Sequence, residues 1–210
     1  MNRLREPGRQ AKWLKLRSVP HIYNSALAPT PFMDSELSRL LLPIRSVDHV
    51  HGPENAPFAL VEYGDYECPD CGRLYVILRD LQRDLASRLR IVFRHYTLSG
   101  IHHHAQQAAE AAEAAGAQGK FWEMHTLLFE RQQALRTKDL IRYAEELTLD
   151  VEQFRNELKN ETHSERVRAD FIAGVQNGVY GTPGLFLNGV RYDDAWDKES
   201  LRSHLMSGDS

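Results

Sequence analysis

At 210 residues, 42% hydrophobic and 26% charged, the chain has the make-up of one sizeable globular domain, or of one domain carrying an insertion. Its net charge of −3 offers no global attraction to nucleic acid. No apolar run approaches the ~20 residues that cross a bilayer, so no membrane span is expected.

Residues 1–44 are basic at the start (Arg3, Arg5, Arg9, Lys12, Lys15, Arg17) and hold Pro7, Pro20, Pro29, Pro31 and Pro43 with little periodicity. They read as a tail or loosely packed arm, with a short helix over Ser35–Leu42. A secretion signal needs a 7–15-residue apolar core, and Leu40-Leu41-Leu42 is too short and is flanked by Arg39 and Pro43. The chain as written is therefore expected in the cytoplasm, with export open to a protein whose start lies upstream.

Ser46–His51 reads as a first strand, Gly52–Asn55 as a turn and Phe58–Tyr63 as a second strand. Leu74, Ile77, Leu78, Leu81, Leu85 and Leu89 recur at spacings of three and four, which predicts a helix over 72–89. Arg90–Tyr96 follows as a third strand, with Ile91, Phe93 and His95 on one face and Val92 and Tyr96 on the other. Strand, helix and strand make one βαβ unit with a right-handed crossover.

From His102 to Asn177 the pattern is helical: alanine-rich Ala105–Ala117 stopped by Gly119, a helix marked by Phe121, Met124 and Leu128, then Thr137–Leu147, Val151–Leu158 and Thr162–Val175. Leu185–Leu187 and Val190–Tyr192 flank Asn188-Gly189, the preferred dipeptide of a two-residue hairpin turn. Lys198–Met206 closes the chain as a helix. The organisation expected is an arm over 1–44, a core over 45–101, a helical block over 102–177 and a return to the core over 178–210.

The only two cysteines, Cys68 and Cys71, lie where the second strand gives way to the helix. Pro69 suits the first helical position, so Cys68 falls at the N-cap, where unpaired N–H groups and the helix dipole favour its thiolate. Cys71 lies one turn further in, with Cβ atoms roughly 5–6 Å apart, close enough to form a disulfide after a small movement. One exposed, activated sulfur with a shielded one behind it is a redox pair. Half of a zinc site is the competing account, but it lacks a second cysteine pair, and adjacent His102, His103 and His104 diverge on a helix. Two unrelated core cysteines would make Pro69 and the strand–helix setting a coincidence.

Val61-Glu62-Tyr63-Gly64-Asp65-Tyr66-Glu67-Cys68-Pro69-Asp70-Cys71, with Gly181-Thr182-Pro183-Gly184 far downstream, resembles the DsbA-like branch of the thioredoxin superfamily over roughly residues 45–208. The resemblance implies an α/β fold: a thioredoxin-like core, with a central mixed sheet flanked by helices, and a helical domain inserted between the third and fourth core strands. It implies that Pro183 is a cis proline facing the cysteines and that Thr182 offers backbone groups to a client strand. It also places an acid beneath the cysteines, at Glu62. Glu62 lies in an apolar strand, where a carboxylate needs a reason. One is taking the proton of Cys71 when that sulfur attacks; the other is a strand face open to water.

Asp70 and Glu67 oppose the helix dipole and should raise the Cys68 pKa. Strongly oxidising relatives carry His between the cysteines, so Asp70 predicts a more reducing couple. His102–His104 could adjust this field but read mainly as a solvated helix start. Phe121, Trp122, Met124 and Phe129 read as core before groove. The function expected is thiol–disulfide exchange with client polypeptides through a mixed disulfide at Cys68 resolved by Cys71, with a redox partner to recycle the pair. No metal or organic cofactor is needed, because the sulfurs carry the electrons. The alternative is a redox-switched, chaperone-like peptide-binding module that reacts once without turnover.

Overall fold

The computed structural model describes residues 39–41 and 43–207. Of the arm expected over 1–44, residues 1–38, including the start of the Ser35–Leu42 helix, and Leu42 lie outside the described residues. The described part of that expected helix is not helical. Arg39 forms an antiparallel bridge to Val190, and Leu40 N–H donates to Gly189 O at 2.8 Å. Leu40 and Ile44 instead pack on the sheet, which rewards their apolar side chains without a helix.

Five strands form one mixed sheet: β1 (His49–His51), β2 (Phe58–Gly64), β3 (Leu89–His95), β4 (Gly184–Leu187) and β5 (Val190–Tyr192), in the spatial order β1-β3-β2-β4-β5. β2 and β3 run parallel from Phe58 opposite Leu89 to Gly64 opposite His95. The other neighbours are antiparallel, and Tyr63 faces Gly184 in the β2–β4 register. That register brings Pro183 to the carboxyl end of β2, where the cysteines begin. Asn188 and Gly189 both take positive φ (50° and 80°), the geometry a tight hairpin turn requires.

The helices are α1 (Pro69–Leu85), α2 (Ala105–Ala117), α3 (Phe121–Glu130), α4 (Thr137–Glu146), α5 (Val151–Lys159), α6 (Ser164–Gln176) and α7 (Lys198–Ser207). α1 stops four residues earlier than the leucine spacing predicts. Ala86 adopts φ 47°, a 3-10 turn spans Ala86–Arg88, and Leu89 joins β3 opposite Phe58. Leu85 and Leu89 are both buried, so the spacing reports burial on one core without distinguishing helix from strand.

α1 and α7 cover one sheet face, burying Leu74, Leu78, Leu81, Leu201 and Leu205 against Phe58, Leu60, Ile91 and Leu185. Each such leucine is worth ~1.5–3 kcal/mol. α6 covers the other face over Val61, Tyr63, Val92, Tyr96 and Phe186. The third cluster is the inserted block itself, where the alanines of α2 pack with Met124, Leu128, Tyr143 and Phe154, and it includes Cys68 and Cys71. The cysteines therefore sit where sheet and insertion meet.

Polar bonds hold that junction. Arg94, in β3, is fully buried beside Asp48 at 2.7 Å and donates to Tyr63 Oη and Pro43 O at 2.9 and 2.8 Å. Glu113 of α2 sits with its Oε1 at 2.9 Å from His49 Nε2 and 2.8 Å from His95 Nε2. Arg45 and Arg166 both bind Asp170 of α6. His95, Glu113 and Asp170 place ligand-type atoms within 4.8 Å of one another, but both carboxylates are already engaged by protein cations and imidazoles.

Candidate active site

Cys68 is the N-cap residue of α1 (φ −73°, ψ 121°), with Pro69 in the first turn and Gly72 N–H donating to Cys68 O at 3.1 Å. Both cysteines are free thiols, and Cys71 is fully buried behind Cys68. Cys68 is less open than its N-cap position predicts: it is only 6% exposed, held in the apolar cluster of the inserted block with Thr182 O against its sulfur. The Thr182–Pro183 bond is cis, and the Cys68 thiol donates to Thr182 O at 3.4 Å. Sulfur, proline and the start of β4 thus share one surface. A hollow of about 320 Å³ beside them is lined by Asp70, Tyr180, Thr182, Pro183, Arg191 and Trp196.

The electrostatics separate the two thiols. The Cys68 pKa is brought down to about 6, first because the Cys71 S–H donates to its thiolate. Burial opposes this, while the Thr182 side chain and the Cys71 backbone N–H support it. Thr182 Oγ1 is buried without a well-formed hydrogen bond, so it is a donor available to the thiolate. Burial pushes the Cys71 thiol well above its ordinary value, as do its role as donor to Cys68 and the charges of Glu62 and Cys68. The first sulfur is ionised near neutral pH and the second holds its proton.

The carboxylate that opposes the Cys68 thiolate is Asp65, rather than Asp70 or Glu67 as the sequence suggests. Asp70 points outward and pairs with Arg73. Glu67 accepts from His104 N–H at 2.6 Å and lies 2.9 Å from His104 Nδ1. Burial pulls the Glu67 carboxyl upward, but the His104 contacts outweigh it and hold the pKa below the usual range.

Glu62 lies within β2 at 2% exposure, so its strand face is not open to water. Burial, followed by the Cys68 charge, raises its pKa to about 8, and a hydrogen bond with Cys71 offsets part of this. Its Oε1 has no hydrogen-bond partner among the described residues. An acid poised near neutral pH therefore touches the more basic of the two thiols.

The loop leading into Cys68 is clamped by the insertion, which sequence periodicity does not reveal. Asp65 accepts from Glu67 N–H and Leu98 N–H, both at 2.8 Å, and lies 2.8 Å from His102 Nδ1. Gln132 Nε2 donates to Tyr66 O and Cys68 O at 2.9 and 2.8 Å. A Cβ at Gly72 would meet Gln132 Oε1 at 2.1 Å, so glycine is what lets Gln132 reach the loop. His102 and His104 are thus loop ligands rather than a solvated helix start, while His103 is exposed. Phe121, Met124 and Phe129 are buried core; the Phe129 ring lies 4.8 Å from Tyr66. No local signal marks Gln132, because its partners are backbone carbonyls far away in the chain.

A family model described as Thioredoxin matches residues 45–206. Among solved structures, oxidised BdbD from Bacillus subtilis superposes with a TM-score of 0.68 at 24% identity, covering 76% of this chain and 91% of that one. A thioredoxin-like oxidoreductase from Silicibacter pomeroyi gives a TM-score of 0.70 at 23% identity, covering 79% and 94%. Similar curated proteins include the Na(+)/H(+) antiporter NhaA 3 of Salinispora tropica, 47% identical over 160 residues that are 76% of this chain and 24% of that protein. The Na(+)/H(+) antiporter NhaA 1 of Mycolicibacterium vanbaalenii is 39% identical over 186 residues, 87% of this chain and 30% of that protein. The chain thus spans less than a third of the length of these curated relatives. Among the described residues no helix is long and apolar enough to cross a membrane. The match over 45–206 makes this chain a member of the thioredoxin family, and the superpositions give it a DsbA-like fold.

Proposed function

We propose that the protein is a thiol–disulfide oxidoreductase acting on client polypeptides. The observation that carries this is the asymmetry of the pair: Cys68 with a pKa of about 6 beside cis Pro183, and Cys71 protonated behind it against Glu62. The Cys68 thiolate attacks a client disulfide; one client sulfur leaves and a mixed disulfide forms. Bonding of Cys68 in the mixed disulfide removes the thiolate charge that helps raise the Glu62 pKa, so Glu62 ionises, takes the Cys71 proton, and the Cys71 thiolate attacks Cys68 Sγ. The second client sulfur leaves and Cys68–Cys71 closes, so the client gains the two electrons the pair loses. The reverse sequence oxidises a dithiol client. Thr182 offers its backbone to the client strand next to Pro183.

A Cys68 pKa of about 6 lies between DsbA at about 3.5 and thioredoxin at about 7. This supports a couple more reducing than DsbA, whose potential is about −120 mV. Equilibration in a glutathione series tests it, and a value near that of DsbA overturns it. The reaction itself is tested by insulin reduction with a recycling dithiol. Many turnovers per molecule are expected, together with trapped client adducts for Cys71→Ser and none for Cys68→Ser. A single stoichiometric reaction would instead favour the switch reading.

A second reading has one specific support: the relatives in which this segment is part of a longer chain carry the name Na(+)/H(+) antiporter. The domain would then exchange thiols with, or report redox state to, a membrane transporter. Mixed-disulfide capture by Cys71→Ser from membrane and soluble fractions separates the two, and protection of the chain from protease in intact cells stripped of their outer envelope tests the cytoplasmic location.

A further inference from the structure

Each of the two carboxylates ahead of Cys68 meets an imidazole from the entrance to the insertion, and the two contacts differ in burial. Asp65 is buried, with its Oδ1 accepting from Glu67 N–H and its Oδ2 from Leu98 N–H, and His102 Nδ1 lies 2.8 Å from that same Oδ2. Both backbone groups can only donate, so Asp65 presents acceptors alone and the proton of the His102 contact belongs to Nδ1. The His102 side chain keeps 16% of its surface open to solvent, the source of the second proton that turns the ring into a cation. Glu67 and His104 repeat the contact at 2.9 Å, but the His104 side chain is 40% exposed and solvent screens it. Of the two pairs, the first sets a chargeable ring against a fully buried carboxylate.

We propose that His102 is a positioning residue: its charge, acting through Asp65, sets how readily Cys68 stands as a thiolate and so how oxidising the pair is. This role deepens the exchange reaction proposed above and rests on it. The Cys71 S–H is the chief support of the Cys68 thiolate, and the Asp65 charge works against it. A cationic His102 cancels that charge from 2.8 Å away, in a buried contact that salt and water screen little. Stabilising the thiolate stabilises the reduced protein and makes the couple more oxidising, so loss of the cation makes it more reducing. The sign with pH follows. The support is present where the imidazole is charged and fades as pH rises through its titration. The other titratable groups around the ring are engaged elsewhere or open to solvent. Glu67 on the same loop is held by His104, His103 next in the chain is exposed, and Glu110 of α2 accepts from Gln106. Asp70 of α1 pairs with Arg73, and Glu62 of β2 is bonded to Cys71.

His102→Asn tests this, because its amide nitrogen takes the place of Nδ1 and still donates to Asp65 but carries no charge. Circular dichroism checks folding, and His102→Gln serves if the first variant misfolds. Thiolate absorbance of the full chain gives the Cys68 midpoint, and equilibration in a glutathione series from pH 5.5 to 9.5 gives the potential. The midpoint should rise by roughly half a unit, as loss of a nearby cation requires. The glutathione equilibrium constant should fall roughly threefold near pH 7, which is about 14 mV for a two-electron couple. That gap should close by pH 9.5, where the native imidazole is neutral as well. His104→Asn should move both readouts by less than half as much, and in an Asp65→Asn background the His102 substitution should add little. A midpoint within about a tenth of a unit of wild type, a gap that stays constant with pH, an equal response to His104→Asn, or a full shift in the Asp65→Asn background would each overturn the role of His102. All four leave the exchange reaction standing. Failure of the wild-type pair to form its disulfide with oxidised glutathione would instead refute the exchange reaction, while the thiolate midpoints would still decide for or against His102.

Discussion

Replacing Glu62 by glutamine should stabilise the fold at neutral pH while slowing exchange, and the size of the gain follows from the site. The carboxyl is fully buried and titrates at about 8 in the folded chain against 4.5 for its ordinary value. Between those pH values the folded protein keeps a proton that the unfolded chain has released, so stability falls as pH rises, by about 1.4 kcal/mol per unit. At pH 7 the accumulated penalty is about 3 kcal/mol, and it levels off above pH 8. The glutamine side chain would avoid the penalty because it does not ionise. Cys68 complicates the measurement. Its folded pKa of about 6 lies below the ordinary 9.0, so it contributes a slope of opposite sign between those values. The comparison therefore belongs in a Cys68→Ser background, with and without Glu62→Gln, by urea unfolding from pH 4.5 to 8.5; loss of the Cys68 charge, the second cause of the raised Glu62 pKa, makes the gap there smaller than in the native chain. The two curves should meet near pH 4.5 and diverge upward, with the glutamine variant the more stable. A difference that does not change with pH, or a glutamine variant less stable at pH 7, would refute the reasoning, because it would mean that Glu62 is ionised and paired in the fold.

Two further outcomes follow from the same chemistry. Thiolate absorbance of Cys68 should rise with a midpoint near 6, and Asp65→Asn, which removes the opposing charge but keeps the shape, should move that midpoint lower; a rise would mean that Asp65 acts through loop geometry instead. Asp48→Ala leaves the Arg94 guanidinium buried without its carboxylate and should cost about 3–5 kcal/mol by urea unfolding, whereas a loss under 1 kcal/mol would show that Tyr63 and Pro43 suffice.

The elements that the sequence makes plain are those whose signals are local. Ala105–Ala117 is a helix over the span its alanines predict, because low helix cost and burial agree there. Asn188-Gly189 turns the last hairpin, and Cys68-Pro69 starts α1, because each depends on residues next to one another in the chain. The end of α1 was hidden because a leucine at either period buries equally well. Arg94 was hidden too: a charged residue in a strand reads as solvent-facing until Asp48, 46 residues away, is brought beside it. Gln132 and the paired roles of His102 and His104 share that cause. They bind a loop across 37 to 66 residues of chain, and no periodicity encodes such a partner.

Those three clamps have a mechanical corollary. His102, His104 and Gln132 grip the four residues Asp65–Cys68 from one side, while the sheet anchors them from the other. The reactive sulfur is strung between two bodies like a bead on a taut cord. A push on the helical layer reaches Cys68 through those three side chains as well as through the apolar cluster that holds both cysteines, so a large body pressed on that layer should shift the thiol's reactivity where a small thiol would not.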